Sequence, residues 1–435
     1  MTTPIFDFLK KYSESDTVRL HMPGHKGVGE LGCEAYDITE IQGADVLYSA
    51  DGIIEESENN LSRLYGTSHS FYSTEGSTLA IFAMLSLVSN RREGRPLILA
   101  ARNVHTAFVK AAALLDLDVE WLYPERSEHL CSCEITAPDL KKALSGMEKM
   151  PRAVYVTSPD YLGHMLDISS LAAVCREFGL PLLVDNAHGA YLKFLEKDSH
   201  PITLGAAMCA DSAHKTLPVL TGGAYLHISK DFPEYRERAR GALSLFASTS
   251  PSYLTLASLD LCNKRLAEDY PEKIRALARK TSEIKTKISS LGFDVAESEP
   301  LKIVVKAGRS LAEHLRGQGI ECEFSDSEYT VLMLTPENSS SNLERLLSSL
   351  ESAARAEKSP ISPTPTPHNR VMTIREAIFA ESETVRVENS LGRISASPTV
   401  SCPPAVPIVI SGERITSEDI ALFKHYGTGF VDVVI

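Results

Sequence analysis

Between about residues 77 and 230, short apolar runs of strand length alternate with helical patterns, and no other feature restricts the fold as much. "STLAIFAMLSLVSN" has the length and composition of a helix. "RPLILA" (95–100), "VEWLY" (119–123) and "RAVYVTS" (152–158) read as strands, the last leading into a helix-like "SSLAAVCREFG". "LPLLVD" (180–185), "AAMCAD" (206–211) and "GAYLHIS" (223–229) follow. Strands alternating with helices predict right-handed crossovers and a mostly parallel sheet, so the fold class is α/β. Such sheets collect ligands at the carboxyl ends of their strands, and Asp185 falls at one of those ends.

A second pattern starts near residue 290. "FDVAESEPLKIVVKAGRSLAEHLRGQGIECEFSDSEYTVLML" reads as strand, helix and strands, and "SNLERLLSSLESAARAEK" as an amphipathic helix. The proline-rich "SPISPTPTP" (359–367) predicts an extended hinge. Beyond it, 371–435 carries a helix and short apolar strands. At 435 residues the chain exceeds one compact domain. The expected division is a large domain over 1–290 and a smaller α+β domain over 291–435. A net charge of −13 argues against a nucleic-acid partner. No run approaches roughly eighteen uninterrupted apolar residues, so no membrane partner is expected. The N-terminus lacks a signal-peptide pattern, and the scattered cysteines offer only Cys131-x-Cys133, with no second pair for zinc. Reduced thiols, a cytoplasmic location and no metal are the simplest expectation.

Three stretches carry chemistry in combination. In "LLVDNAHGAY", Asp185 ends an apolar strand; alone it reads more readily as the cap of the next turn. In "DSAHKTLPVLTGGAY", Lys215 sits among apolar and small residues unlike those of a solvated face. A buried lysine loses basicity and becomes an amine nucleophile, able to join an aldehyde cofactor. In "YSTEGSTLAIFAML", Ser77 and Thr78 open a helix whose backbone N–H groups suit an anion, although Ser and Thr there are more often plain caps. Lysine, strand-end aspartate and phosphate turn together are what pyridoxal 5′-phosphate requires: an amine for the aldehyde, a carboxylate for the pyridinium nitrogen and an anchor for the phosphate. His105 in "ARNVHTAF" follows a strand and suits stacking on the cofactor ring.

Beyond these pieces, the chain resembles the fold-type I pyridoxal-phosphate decarboxylases that act on ornithine, lysine or arginine. The stretches that carry the resemblance are "HMPGHKG" (21–27), "DITE" (37–40), "EGST" (75–78), "RNVH" (102–105), "TSPDYLGHMLDI" (157–168), "VDNAHGA" (184–190), "SAHKTLPVLTGGA" (212–224), "STSPSYL" (248–254), "LGRISA" (391–396) and "PPAVPIVISGE" (403–413). The resemblance implies an aspartate-aminotransferase-like large domain and a short form without the N-terminal wing. It makes Lys215 the aldimine lysine, Asp185 the pyridinium partner and His105 the stacking ring. Ser77, Thr78, Ala187, His188, Ser212 and His214 would hold phosphate and cofactor. Thr249 and Ser250 would reach the neighbouring subunit's phosphate, which implies a homodimer with shared active sites. The implied reaction is α-decarboxylation of a basic amino acid to CO2 and a polyamine-type amine through a quinonoid, with Lys215 or His214 reprotonating Cα. Glu413 is the candidate for the substrate's distal cation. Transamination, elimination, aldol cleavage and a non-catalytic relative are the competing readings.

Four positions depart from the family pattern: Glu75, Thr106-Ala107, Thr221-Gly222 and the Cys402–Ala405 stretch. Two further motifs fail on context. "GVGELG" (27–32) matches a dinucleotide fingerprint without a preceding strand. His21 and His25 have metal-pair spacing, but Pro23 and Gly24 between them break the helix such a pair needs.

Overall fold

The computed structural model describes residues 1–89, 94–125, 129–353, 367–398 and 405–435. The hinge expected over 359–367 lies outside the described residues but for Pro367, as do Cys402, Pro403 and Pro404. The chain divides into two compact units, each built from two stretches. One is Met1–Val88 with Pro181–Arg275; the other is Ser89–Leu180 with Ala276–Ile435.

In chain order the strands are β1 (His69–Ser73), β2 (Leu97–Ala101), β3 (Asp118–Leu122), β4 (Ala153–Thr157), β5 (Leu182–Asp185), β6 (Met208–Asp211) and β7 (Ala224–Ile228). There follow β8 (Val295–Ala296), β9 (Lys302–Val305), β10 (Phe324–Ser325), β11 (Thr330–Met333), β12 (Ser382–Arg386) and β13 (Phe430–Val434). In the first unit β1, β7, β6 and β5 are neighbours in that order. β5 and β6 are parallel, while β7 is antiparallel to both β6 and β1. In the second unit β2 runs parallel to both β3 and β4. The strands β10, β11, β9 and β8 make an antiparallel sheet, and β12 pairs antiparallel with β13.

The apolar runs read as strands are strands; β2, β4, β5 and β6 are buried on both faces as near-continuous hydrophobic segments should be, while β3 leaves Glu120 exposed. The helix Gly76–Val88 is apolar all round, and Leu79, Ile81, Met84 and Leu85 are buried accordingly. Two features differ from the sequence reading. The strand β1, "HSFYS", lacks an apolar run, because its polar side chains are paired inside the protein: His69 with Glu58 at 3.1 Å and Ser70 with Thr67 at 2.7 Å. And β7 turns back on β6 because the 212–223 connection holds only the one-turn helix Ala213–Thr216, too short for a parallel crossover.

The N-terminal helix Pro4–Ser13 is held at its start. Asp260 accepts hydrogen bonds from the Ile5 and Phe6 amides at 2.9 and 3.0 Å and from the Ser57 hydroxyl at 2.5 Å. Burial pushes the Asp260 carboxyl up to about 6, against the lowering effect of those bonds.

Candidate active site

The first unit brings most of the expected residues to neighbouring strand ends. Asp185 is the last residue of β5, buried, and accepts from the Ala187 amide at 3.2 Å. The chain then turns through Asn186, Ala187 and His188. One strand over, β6 ends at Asp211, and Ser212, His214 and Lys215 follow in the tight connection to β7. The Lys215 Nζ lies 3.1 Å from Nε2 of buried His188, so the two loops meet through their amine and imidazole. His214 puts Nδ1 at 3.0 Å from the Gly223 carbonyl, which also receives the His214 amide at 3.1 Å.

The phosphate turn joins this group directly. The Ser212 hydroxyl donates to Ser77 Oγ at 2.8 Å. Ser77 and Thr78 lie in the first turn of the helix Gly76–Val88, where unpaired amides and the helix dipole favour an anion. The turn is pinned to the lysine loop by the Gly76 amide, which donates to the Gly222 carbonyl at 2.7 Å. Glu75 also has a task here: its Oε1 accepts from the Ser248 amide at 2.8 Å, tying the segment of Thr249 and Ser250 to the same turn. Both of those residues are exposed.

Sequence reasoning missed what lies beneath. Asn186 donates through Nδ2 to Asp211 Oδ1 at 2.7 Å, clamping the ends of β5 and β6 together. Asp211 also meets His200 Nε2 at 2.9 Å and His227 Nε2 at 3.3 Å. Burial alone would raise the Asp211 carboxyl, but the two imidazoles hold it far below the usual carboxylate range. No spacing rule announces that residues 186, 200, 211 and 227 meet; only the strand order does.

Two expected residues belong to the other unit. His105 follows β2 and caps the helix Thr106–Leu115, with Nδ1 accepting the Ala107 amide at 3.1 Å; the proton of the neutral ring is therefore on Nε2. Glu413 is buried in a turn rather than exposed. Its Oε2 accepts the Ile410 amide at 2.8 Å and lies 3.8 Å from Arg102 and 3.6 Å from His368. Arg102 in turn donates to the Pro407 and Ile408 carbonyls at 2.9 and 2.8 Å. Of the two motifs set aside, 27–32 is a bend without a preceding strand, and His25 pairs with Asp37 at 3.2 Å.

A single lysine amine, a buried strand-end carboxylate and a hydroxyl pair at a helix N-terminus make a donor set that fits pyridoxal phosphate. The set defines a class, the fold-type I pyridoxal-phosphate enzymes, and the cofactor is pyridoxal 5′-phosphate. Within that class the chain belongs to the Orn/Lys/Arg decarboxylase family: residues 3–307 match the family's major domain and 354–427 its C-terminal domain. It is 29% identical to an arginine decarboxylase of Bacillus subtilis over 98% of this chain and 94% of that protein. Among solved structures, the Francisella novicida lysine decarboxylase LdcF superposes with a TM-score of 0.82 at 16% identity, covering 100% of this chain and 81% of that one. The Escherichia coli constitutive lysine decarboxylase gives a TM-score of 0.78 at 17% identity, over 100% and 82% of the two chains. Among the described residues no helix is long and apolar enough to cross a membrane.

Proposed function

We propose that this enzyme decarboxylates a basic amino acid at Cα, releasing CO2 and the corresponding polyamine-type amine, and that arginine is the first substrate to test. The carrying observation is the seat of Lys215, at the turn between β6 and β7 with its nitrogen against His188 and its loop hydrogen-bonded to the phosphate turn. Similarity to arginine decarboxylases along almost the whole chain favours arginine over lysine and ornithine.

Bound pyridoxal phosphate supplies an aldehyde that captures amines and a ring that takes up the electron pair left when CO2 departs. The protein's part is positional and acid–base. Lys215 would be the attachment point for the cofactor's aldehyde. Asp185 would hold a proton at the cofactor's ring nitrogen. Ser77, Thr78 and Ser212 would hold the phosphate, and Ala187 and His188 would help bind the cofactor. His105 would support the cofactor ring. Lys215 or His214 returns the proton to Cα. Glu413 is assigned to the substrate's distal cation, although its surroundings also suit a residue that orients Arg102. Glu413→Gln separates the two roles: a substrate contact raises KM for the basic amino acid, whereas a structural contact lowers the unfolding midpoint instead. The large domain is placed at 1–290 and the small one at 291–435, in a cytoplasmic homodimer whose Thr249 and Ser250 serve the neighbouring subunit's phosphate.

The test is incubation of the cofactor-loaded enzyme with arginine, lysine and ornithine, with CO2 and amine both measured. CO2 and amine in equal amounts from one of them are expected, along with loss of turnover and of the cofactor's visible absorbance band in Lys215→Ala. A keto acid formed without CO2 would make the chain an aminotransferase instead.

A further inference from the structure

Asp185 and Asp211 end neighbouring parallel strands but face opposite sides of the sheet. Asp185 stands opposite Ala210 in the β5–β6 register, and Val184 opposite Cys209. Asp211 therefore shares its face with Cys209 and with His227, the β7 partner of Cys209, away from Asp185. Its side chain is wholly buried, and the loop that carries Ser212 and Lys215 begins right after it.

A buried carboxylate is costly unless its charge is compensated. Both oxygens of Asp211 are engaged: Oδ2 lies 2.9 Å from His200 Nε2, and Oδ1 accepts from Asn186 Nδ2 at 2.7 Å. Although burial opposes it, the imidazoles of His200 and His227 hold this carboxyl far below the usual range, so it is ionised. His227 is itself fixed from behind, with Nδ1 2.7 Å from the Ser70 hydroxyl. The Asn186 amide thus meets a fixed anion, and the bond between them is of the stronger, charge-assisted kind.

The turn that follows Asp185 is built around the Asn186 side chain. The Asn186 backbone amide donates to the Ala210 carbonyl at 3.0 Å, and its carbonyl accepts from the Gly189 amide at 2.8 Å. A methyl group on Gly189 would collide with Asn186 Oδ1, so glycine leaves the room this side chain needs. Asn186 is completely buried, and its Oδ1 has no hydrogen-bond partner among the described residues. An amide half unpaired in the interior is unfavourable, and the bond of its other half to Asp211 offsets that cost. Two residues of the candidate site belong to this turn. Asp185 comes just before Asn186, and His188 comes two residues after it, with Nε2 3.1 Å from Lys215 Nζ.

On the pyridoxal-phosphate reading of the site, we propose that Asp211, acting through Asn186, is a positioning residue for the cofactor. Its carboxylate anchors the 185–189 turn from behind the sheet, so that Asp185 and His188 keep their places relative to Lys215. Asp211 itself touches neither cofactor nor substrate.

The experiment titrates pyridoxal phosphate into the cofactor-free wild type, Asn186→Ala, Asp211→Asn, their double variant and Lys215→Ala. It reads the cofactor Kd, the visible absorbance band and the unfolding midpoint of each cofactor-free protein. Asn186→Ala leaves Asp211 with both histidines and keeps the backbone bonds of the turn. Its Kd is expected to rise about tenfold, the size of one lost charge-assisted hydrogen bond, and its band to weaken or shift. Asp211→Asn keeps an acceptor but removes the charge, so a rise of roughly two- to fivefold is expected. In the Asn186→Ala background it should add nothing further, because it acts through that side chain. Full additivity in the double variant overturns the proposal. So does Asn186→Ala with an unchanged band and a Kd within about twofold of wild type, whatever its unfolding midpoint, since Asn186 would then serve the fold alone. Should Asn186→Ala not fold, wild-type binding by Asp211→Asn overturns it instead. If the wild type shows no band that Lys215→Ala removes, the reading of the site fails and the positioning role with it. If that band is present and only the Asn186 and Asp211 variants behave as wild type, the positioning role alone fails.

Discussion

At Gly222 the backbone takes a φ of +94°, and a methyl group there would stand 2.7 Å from the Thr74 carbonyl oxygen. The position departs from the usual family pattern, and the close approach of the lysine loop to the phosphate turn explains why glycine suits it. Gly222→Ala is expected to strain this contact by about 1–3 kcal/mol, lowering the unfolding midpoint and loosening the retained cofactor. Unchanged cofactor affinity in titrations would mean that the two loops are not coupled. Glu75, a second departure, has its own compensation in the bond to the Ser248 amide. Glu75→Ala should weaken cofactor binding by roughly tenfold or less, the effect of one lost charge-assisted hydrogen bond at a partly exposed place, and Glu75→Gln should restore most of it. At this scale Asp185 and Lys215, the residues proposed to carry the chemistry, stand out in the sequence because each has an unusual side chain at a strand end or in an apolar run. Asn186, His200 and His227 do not, because their roles rest on partners far away in sequence.

Among the elements, the apolar strands were legible and β1 was not. A strand that buries His69 and Ser70 with dedicated partners has no hydrophobic signature. The direction of β7 was equally hidden, since a connection's length tells more than the composition of the strands it joins. The N-terminal helix depends on Asp260, and here a pH effect follows. The carboxyl has a value near 3.8 in an unfolded chain and about 6 when buried. The folded protein therefore holds this proton more tightly than the unfolded chain. The stability it contributes is fully present below the unfolded value and is lost as the pH rises through about 6. Relative to Asp260→Asn, the wild type should lose up to about 3 kcal/mol between pH ~4 and ~7. Thermal unfolding of both proteins across that range checks it; parallel curves would show that the group titrates normally.

For the whole molecule, the proposed sharing of sites between subunits makes a prediction that no single chain can meet. Lys215→Ala lacks the attachment lysine, and a paired Thr249→Ala, Ser250→Ala variant lacks the donated phosphate contacts. Refolded together, the two should form hybrid dimers in which one of the two sites is fully native, so activity should reappear from inactive or weakened parents. A mixture no more active than the sum of its parents would place each site within one chain.

The alternation of apolar strands and helices, the apolar core and the placing of a lysine, an aspartate and hydroxyl residues at strand and helix ends were determined by the sequence alone, because periodicity and side-chain chemistry act locally. The tertiary structure decided which of those residues meet. It set Lys215 against His188, linked Ser212 to Ser77, tied Glu75 to Ser248 and buried Glu413 beside Arg102. It also gathered His200, Cys209, Asp211 and His227 into one cluster. The reason is physical: strand pairing joins residues that are distant in sequence, and no local pattern records the partner a buried polar group will find.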